Sequence, residues 1–330
     1  MKKYLYIIIV LVITTSCGKK AEYIKSSGYI FGTTYHIKYQ SKKNYDKQII
    51  AELNKYNHSL SMFEPTSIIG KINSNDTTVV LDNYFIKCFK KAQEVSNITD
   101  GAFDITVAPI VDAWGFGINN SANTDANIDS IMQFVGYKHI HLVQNKIIKE
   151  HKETMLDMSA IAKGYGVDIV SEFFNKKRVK NYMVEIGGEV RVRGLNPKGV
   201  NWTIGIDKPI DDVLALHREF QDIISITNKS IATSGNYRQF YEKDGIKYSH
   251  TINPKTGYPA RNGLLSASVL TNDCMTADAF ATAFMVMGTQ KSIELAEKLD
   301  NIDIYLIYTD SLNNYKIYKS NGFKNAIIKK

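Results

Sequence analysis

Residues 156–168, Leu-Asp-Met-Ser-Ala-Ile-Ala-Lys-Gly-Tyr-Gly-Val-Asp, gather a carboxylate, small residues and a lysine where a strand gives way to a helix. Asp157 stands at the strand end, Ser159 and Ala160 leave room for approach to the backbone, and Lys163 comes early in the helix. Val167, Val170, Phe173 and Phe174 continue its apolar face. The unpaired N–H groups and positive end of such a helix suit an anion such as phosphate. An ordinary turn with a solvated lysine reads the same way, and the stretch is not a Gly-x-x-x-x-Gly-Lys-Ser/Thr loop.

A second candidate lies at 276–287, where Asp278 and Thr282 are four apart and share a helix face. The surrounding Ala, Phe, Met and Val imply a buried helix, and a buried lone carboxylate is costly unless paired or metal-bound. An aspartate with a hydroxyl and backbone oxygens is hard-ligand chemistry suited to Mg2+. The alternative is an N-capping Thr276 with Asp278 complementing the helix dipole. The scarcity of Cys/His clusters argues against zinc. Trp114-Gly115-Phe116 could clamp a planar ring or form a loop-anchored core cluster. His250, just before a Pro/Gly turn, reads as structural or as an acid–base group.

The elements that must position these groups follow from periodicity. Helical spacing covers 45–58, 83–99, 128–135, the stretch to Phe174, 276–287 and 290–299, with Gly288 as a helix stop. Strand patterns cover 28–39, 182–194 about the Gly187-Gly188 pinch, 202–206, 223–226, 230–235, 264–271, 302–308 and 315–319. Hairpins are expected at 137–149 and 239–248, and a loop at 209–215. Strands in consecutive groups imply an α+β fold of largely antiparallel, mixed sheets with packed helices.

The 330 residues suit one large domain or two intimate subdomains, and 44% hydrophobic with 22% charged residues is a globular composition. The net charge of +8 comes from scattered lysines and supports no more than a mild preference for an anionic ligand. No nucleic-acid module is present. Met1-Lys2-Lys3, the apolar run 4–13 and Thr14-Thr15-Ser16-Cys17 read as a secretory signal, too short for a mature membrane span. Cys17 after small residues resembles a bacterial lipobox, although Thr14 replaces the usual leucine. A lipidated Cys17 would anchor an exported chain to a membrane, facing the periplasm or cell exterior. Residues 18–27 would be a polar tether and 28–330 the folded domain. Cys88 and Cys274 read as separate buried thiols.

In order along the chain, Gly32-Thr33-Thr34-Tyr35, 61–65, 101–117, 157–168, Gly187-Gly188-Glu189-Val190, Thr233-Ser234-Gly235-Asn236-Tyr237, 250–259 and 276–288 resemble the ApbE family of FAD:protein FMN transferases. The resemblance covers about 28–288 and implies an ApbE-like, T-fold-related architecture. It implies Mg2+-dependent transfer of FMN from FAD, as substrate, to a Ser/Thr hydroxyl of an acceptor protein, with release of AMP. By position it implies Asp278, Thr282 and the Ala160 carbonyl as metal ligands. Phe31, Phe63, Trp114, Gly115, Phe116, Asp157, Lys163 and Ile252 would contact FAD, and His250 would act as general base. Phe63, Asn253 and Glu185 depart from the commoner Tyr, Asp and Asn at those places. An FAD pyrophosphatase would use the same site with water in place of the acceptor, and a non-catalytic flavin-binding lipoprotein is a third reading. The acceptor motif Asp-Gly-x-Ser/Thr-Gly-Ala-Ser/Thr is not found in this chain.

Overall fold

The structure is a computed structural model. It describes residues 21–117, 127–209, 219–236, 240–243, 246–249 and 251–328; Cys17 and His250, with the signal segment, most of the expected loop at 209–215 and part of the 239–248 hairpin, lie outside the described residues. The chain runs β1 (Glu22–Ile30), β2 (Thr33–Ser41), α1 (Asp46–Leu60), α2 (Ile68–Asn73), α3 (Asn83–Ile98), α4 (Ala108–Ala113), α5 (Ile128–Met132), β3 (Ile140–Val143), β4 (Lys146–Lys149), α6 (Ser159–Lys176), β5 (Tyr182–Ile186), β6 (Glu189–Arg193), β7 (Trp202–Asp207) and β8 (Phe220–Ile226). It continues with β9 (Lys229–Gly235), β10 (Phe240–Lys243), β11 (Ile246–Ser249), β12 (Leu264–Thr271), α7 (Cys274–Met287), α8 (Thr289–Ala296), β13 (Asp303–Thr309), β14 (Tyr315–Lys319) and α9 (Asn321–Ala326).

One eight-stranded sheet, ordered β1-β2-β5-β6-β9-β12-β13-β14, organises the molecule, and each neighbouring pair in it is antiparallel. The fold is therefore α+β, as expected. Successive side chains of a strand point to opposite faces, and the central strands are apolar on both. In β13, Ile304 and Leu306 join the core under α3, α6 and α7, while Tyr305 and Ile307 join the core formed with the β7–β8 hairpin and α9. The sheet is thus the middle of three layers, with the long helices on one side.

Two expectations from the sequence change. The polar tether over 18–27 ends early, because Glu22–Ile30 pairs in register with β2 from Glu22↔Ser41 to Ile30↔Thr33. It is a mostly exposed edge strand, and edges favour charged and polar residues that mimic a linker in composition. Residues 156–158 form no strand; instead Asn73 brackets Leu156, accepting its N–H (2.7 Å) and donating to its carbonyl (2.9 Å). Cys88 and Cys274 are separate, buried and free, as expected.

Helices α6 and α7 lie on the sheet and meet closely. Alanines 277, 279, 281 and 283 keep α7 slim, and interaxial distance follows the size of the residues at the contact. A Cβ on Gly164 would stand 2.3 Å from the Cys274 carbonyl oxygen and 2.7 Å from the Asp278 Cβ, so no larger residue fits there without parting the helices. One turn further along α6, buried Asp168 accepts the N–H groups of Cys274 (2.9 Å) and Met275 (2.8 Å) and the Arg191 guanidinium (2.5 Å). It satisfies two of the free donors that begin α7. Asp273, not Thr276, is the residue that caps α7, accepting the Thr276 N–H at 3.0 Å.

Removing one member of a buried ion pair leaves the other uncompensated. Asp168→Ala should therefore cost about 3–5 kcal/mol of stability, read as a lower urea midpoint. A loss under 1 kcal/mol, the scale of an exposed pair, would show that Asp168 does not secure the two helices.

Candidate active site

A cavity of about 480 Å³ opens above this helix pair, within the usual size range of a ligand site. Ala160 and Lys163 of α6, Asp278 and Thr282 of α7, Gly187-Gly188 between β5 and β6, Glu189 at the start of β6, and Thr233-Ser234 of β9 all line it. The tertiary fold thus brings together groups that lie more than a hundred residues apart.

Asp278 is buried. Its Oδ2 accepts the Gly164 N–H at 2.8 Å, and its Oδ1 lies 3.8 Å from the Lys163 ammonium. Helix geometry would also direct the Gly164 N–H to the Ala160 carbonyl, so Asp278 competes for that donor. Thr282 Oγ1 lies 3.2 Å from Ser234 Oγ. Asp278, Thr282 and Ala160, the metal set implied by the resemblance, therefore share one wall.

Lys163 is not a solvated helix-start lysine. Its Nζ is 3.0 Å from Glu189 Oε1 as well as within reach of Asp278. Burial alone would lower the ammonium's pKa, but the Asp278 and Glu189 carboxylates outweigh it and hold it above its ordinary value. Gly187 adjoins this arrangement: its φ of 64° suits glycine, and a Cβ there would come within 3.1 Å of Lys163 Cδ. Burial pushes the Glu189 carboxyl up to about 8, with Lys163 pulling the other way and Asp278 adding to the rise. Asp278 is raised by burial too, against Lys163 and the Gly164 N–H. Glu189 Oε2 is buried with no hydrogen-bond partner.

Asp104, Asp157 and Asp207 line the same cavity, and Lys163 is the sole Lys, Arg or His among the described residues that do. Among the described residues the lining is acidic although the chain carries +8. Two buried carboxylates, an unpartnered carboxylate oxygen, hydroxyls and a backbone carbonyl form an all-oxygen donor set that fits a hard divalent cation.

Of the other expected ligand contacts, Phe63, Phe116, Asp157 and Ile252 line the cavity. Asp157 accepts the Ser159 N–H at 2.7 Å, and burial raises its pKa. Phe31, Trp114 and Gly115 are not among the lining residues. Phe31 sits in the β1–β2 turn with its ring edge-on to Tyr56 at 5.2 Å. Trp114 donates from Nε1 to the Gly257 carbonyl at 2.8 Å and packs with Ile110, Val135 and Ile252. Gly115 follows α4 with φ 79°. Trp114 packs in this loop-anchored cluster, and Phe116 joins both cluster and cavity. Glu189 and Ser234 stood in recognised motifs without an assigned role; a charged residue directly after a Gly-Gly turn was the available signal for the first.

The ApbE family matches this chain over residues 31–306. The chain belongs to the ApbE family. Within it, the FAD:protein FMN transferase of Vibrio cholerae is 36% identical over 335 residues, 98% of both chains. That of Haemophilus influenzae is 35% identical over 345 residues, again 98% of both. The solved flavin transferase ApbE from Vibrio cholerae superposes with a TM-score of 0.82, covering 93% of this chain and 99% of that one. The ApbE protein from Thermotoga maritima, 26% identical, gives 0.80 over 93% and 100%. The ApbE-like architecture expected from the motifs is thus the architecture found.

The raised Glu189 pKa makes a prediction for the metal-free protein. Between pH 4.5 and about 8 the folded state keeps a proton that the unfolded chain has released. Stability should therefore fall as pH rises through that window and level off above it. Glu189→Gln should flatten this slope in urea melts run in EDTA; parallel profiles for wild type and variant would remove Glu189 as its source.

Proposed function

We propose that this chain is an Mg2+-dependent FAD:protein FMN transferase that passes FMN to a Ser or Thr hydroxyl of an acceptor protein and releases AMP. The acidic cavity carries the reading. FAD's pyrophosphate is anionic, and the acidic groups of the lining, once ionised, would repel it unless a cation intervened. Asp278, Thr282 and the Ala160 carbonyl would hold Mg2+, and the unpartnered Glu189 oxygen lies beside them in the same lining. When bound, the metal would neutralise charge on the pyrophosphate oxygens.

The remaining work falls to side chains. Phosphoryl-type transfer depends on positioning and charge stabilisation. Lys163 supplies a fixed positive charge at the cavity wall. Phe63, Phe116 and Ile252 supply apolar surface for the rings of FAD. The acceptor oxygen bonds to the FMN phosphorus, the bond from that phosphorus to the AMP oxygen breaks, and the hydroxyl proton passes to a base. His250 is our candidate for that base; its sequence neighbours Thr251 and Ile252 line the cavity. Residues 1–17 would direct export and lipidation at Cys17, leaving the enzyme on a membrane outside the cytoplasm.

The deciding experiment incubates the chain with FAD, Mg2+ and a protein bearing the acceptor motif, following acceptor mass and AMP together. Acceptor heavier by one FMN, with AMP in step, is expected. AMP and free FMN without acceptor would make the enzyme a pyrophosphatase. Unchanged FAD would leave only a carrier. Asp278→Asn should lower the rate by about 100-fold or more, the scale of losing one electrostatic contact to the reacting group. His250→Gln should abolish the dependence of rate on a basic group titrating near neutrality; an unaltered pH profile excludes it as base.

Cys17→Ser should move the protein from the membrane to the soluble exported fraction or leave an unprocessed precursor. A processed, membrane-bound Cys17→Ser chain would disprove lipidation at that residue.

A further inference from the structure

The β3–β4 hairpin carries a second group of ligating side chains, made of residues that are absent from the cavity wall. His139 ends the 3-10 turn Tyr137–His139, His141 lies in β3, and Glu150 and His151 follow β4 directly. The hairpin is short and its register is set by a two-residue turn, Gln144-Asn145, with φ of 48° and 58°. Such a turn matches the twist of the paired strands. The Glu150 N–H donates to the His139 carbonyl at 2.9 Å, so the two ends of the hairpin are tied where the side chains converge.

Their polar atoms face one another. Glu150 Oε2 lies 2.7 Å from His139 Nδ1, and Oε1 lies 3.3 Å from His141 Nε2. The His151 ring packs edge-on to His139 at 5.4 Å and to Phe134 at 5.8 Å. His139, Glu150 and His151 each place a ligand atom within 4.8 Å of the others'. Among the described residues no protein group hydrogen-bonds the His151 ring nitrogens. The histidines and Glu150 are half-buried or exposed, so an ion can reach them. Gly136 makes room for the His139 ring, since a Cβ there would stand 2.6 Å from its Cδ2.

We propose that His139, Glu150 and His151 bind a divalent transition cation of the zinc class, with His141 oriented by the same carboxylate. Imidazole with one carboxylate is a borderline donor set that suits zinc, nickel or copper and discriminates against Mg2+. Nitrogen and oxygen ligands on one tetrahedral zinc ion sit about 3.4 Å apart, so side-chain rotations would close the present spacing. Ligating groups are typically oriented by a further hydrogen bond, and the contact of His141 Nε2 with Glu150 Oε1 supplies one to the ligating carboxylate. The ion would pin the 3-10 turn to the end of β4, closing the hairpin with a local cross-link that is independent of the flavin chemistry.

The test uses the untagged full chain, stripped with chelator and held in excess Mg2+ so that hard-oxygen sites are filled. Zn2+ is titrated by calorimetry, and thermal unfolding is measured with and without it. One saturable equivalent is expected, with a rise in Tm, because binding to the folded state alone stabilises it. His151→Phe keeps the ring packing but removes the nitrogens; it should weaken zinc binding by at least tenfold, about the low end for altered metal sites, and remove the Tm rise. His139→Ala, confirmed folded by circular dichroism, should do the same. A wild-type chain with no saturable zinc equivalent overturns the proposal. So does a folded His151→Phe chain that binds zinc as wild type does.

Discussion

The candidate active site rests on two helices meeting at backbone distance. Gly164 allows α6 to approach the Cys274 carbonyl and Asp278 of α7, and the Gly164 N–H then reaches the Asp278 carboxylate. One turn away, Asp168 receives the first N–H groups of α7 and holds Arg191. These two contacts run in opposite directions along the helices and fix their register. Asp278 can stay buried because an N–H and an ammonium face it; its position is a consequence of helix packing as much as of its own chemistry. A core built with larger residues at this crossing would bury as much surface and lose the site.

The second constraint is charge. The cavity lining includes Asp104, Asp157, Glu189, Asp207 and Asp278, of which Glu189 and Asp278 lie beside Lys163. Burial disfavours ionised carboxylates, which is why Glu189 and Asp278 are shifted upward despite the lysine. Such a wall is unfavourable for an anion and favourable for a divalent cation. The proposed order of events follows from that physics: the acids select the cation, and the cation makes the site hospitable to pyrophosphate. Lys163 serves in both settings, neutralising the carboxylates here and offering positive charge to the proposed substrate.

The β5–β6 turn links sheet and site. Gly187 and Gly188 both have positive φ, and Glu185 Oε1 accepts the Gly188 N–H at 2.7 Å while Oε2 pairs with His36 at 2.7 Å. Glu185, which departs from the residue commoner at this place, thus has a defined structural role: its carboxylate closes the turn that presents Glu189 to Lys163. An amide there could close the turn through its oxygen but would lack the charge that attracts His36.

Much of the fold was legible in the chain because it rests on short-range periodicity. Residues 264–271 read as a strand and form β12; the spacing of Asp278 and Thr282 placed them on one face of α7; the Gly-Gly pinch marked the β5–β6 turn. The ordered motifs carried the family, since each is a local pattern. The first part of edge strand β1, 22–27, reads as a linker because exposed polar residues look the same in a strand and in a linker. The partners of Lys163, the removal of Phe31 and Trp114 from the cavity lining, and the meeting of His139 with Glu150 and His151 were decided only by the tertiary structure. Residue type and spacing determine which way a side chain leaves its own helix or strand. What it meets there depends on elements brought in from elsewhere in the chain, and only packing sets that distance.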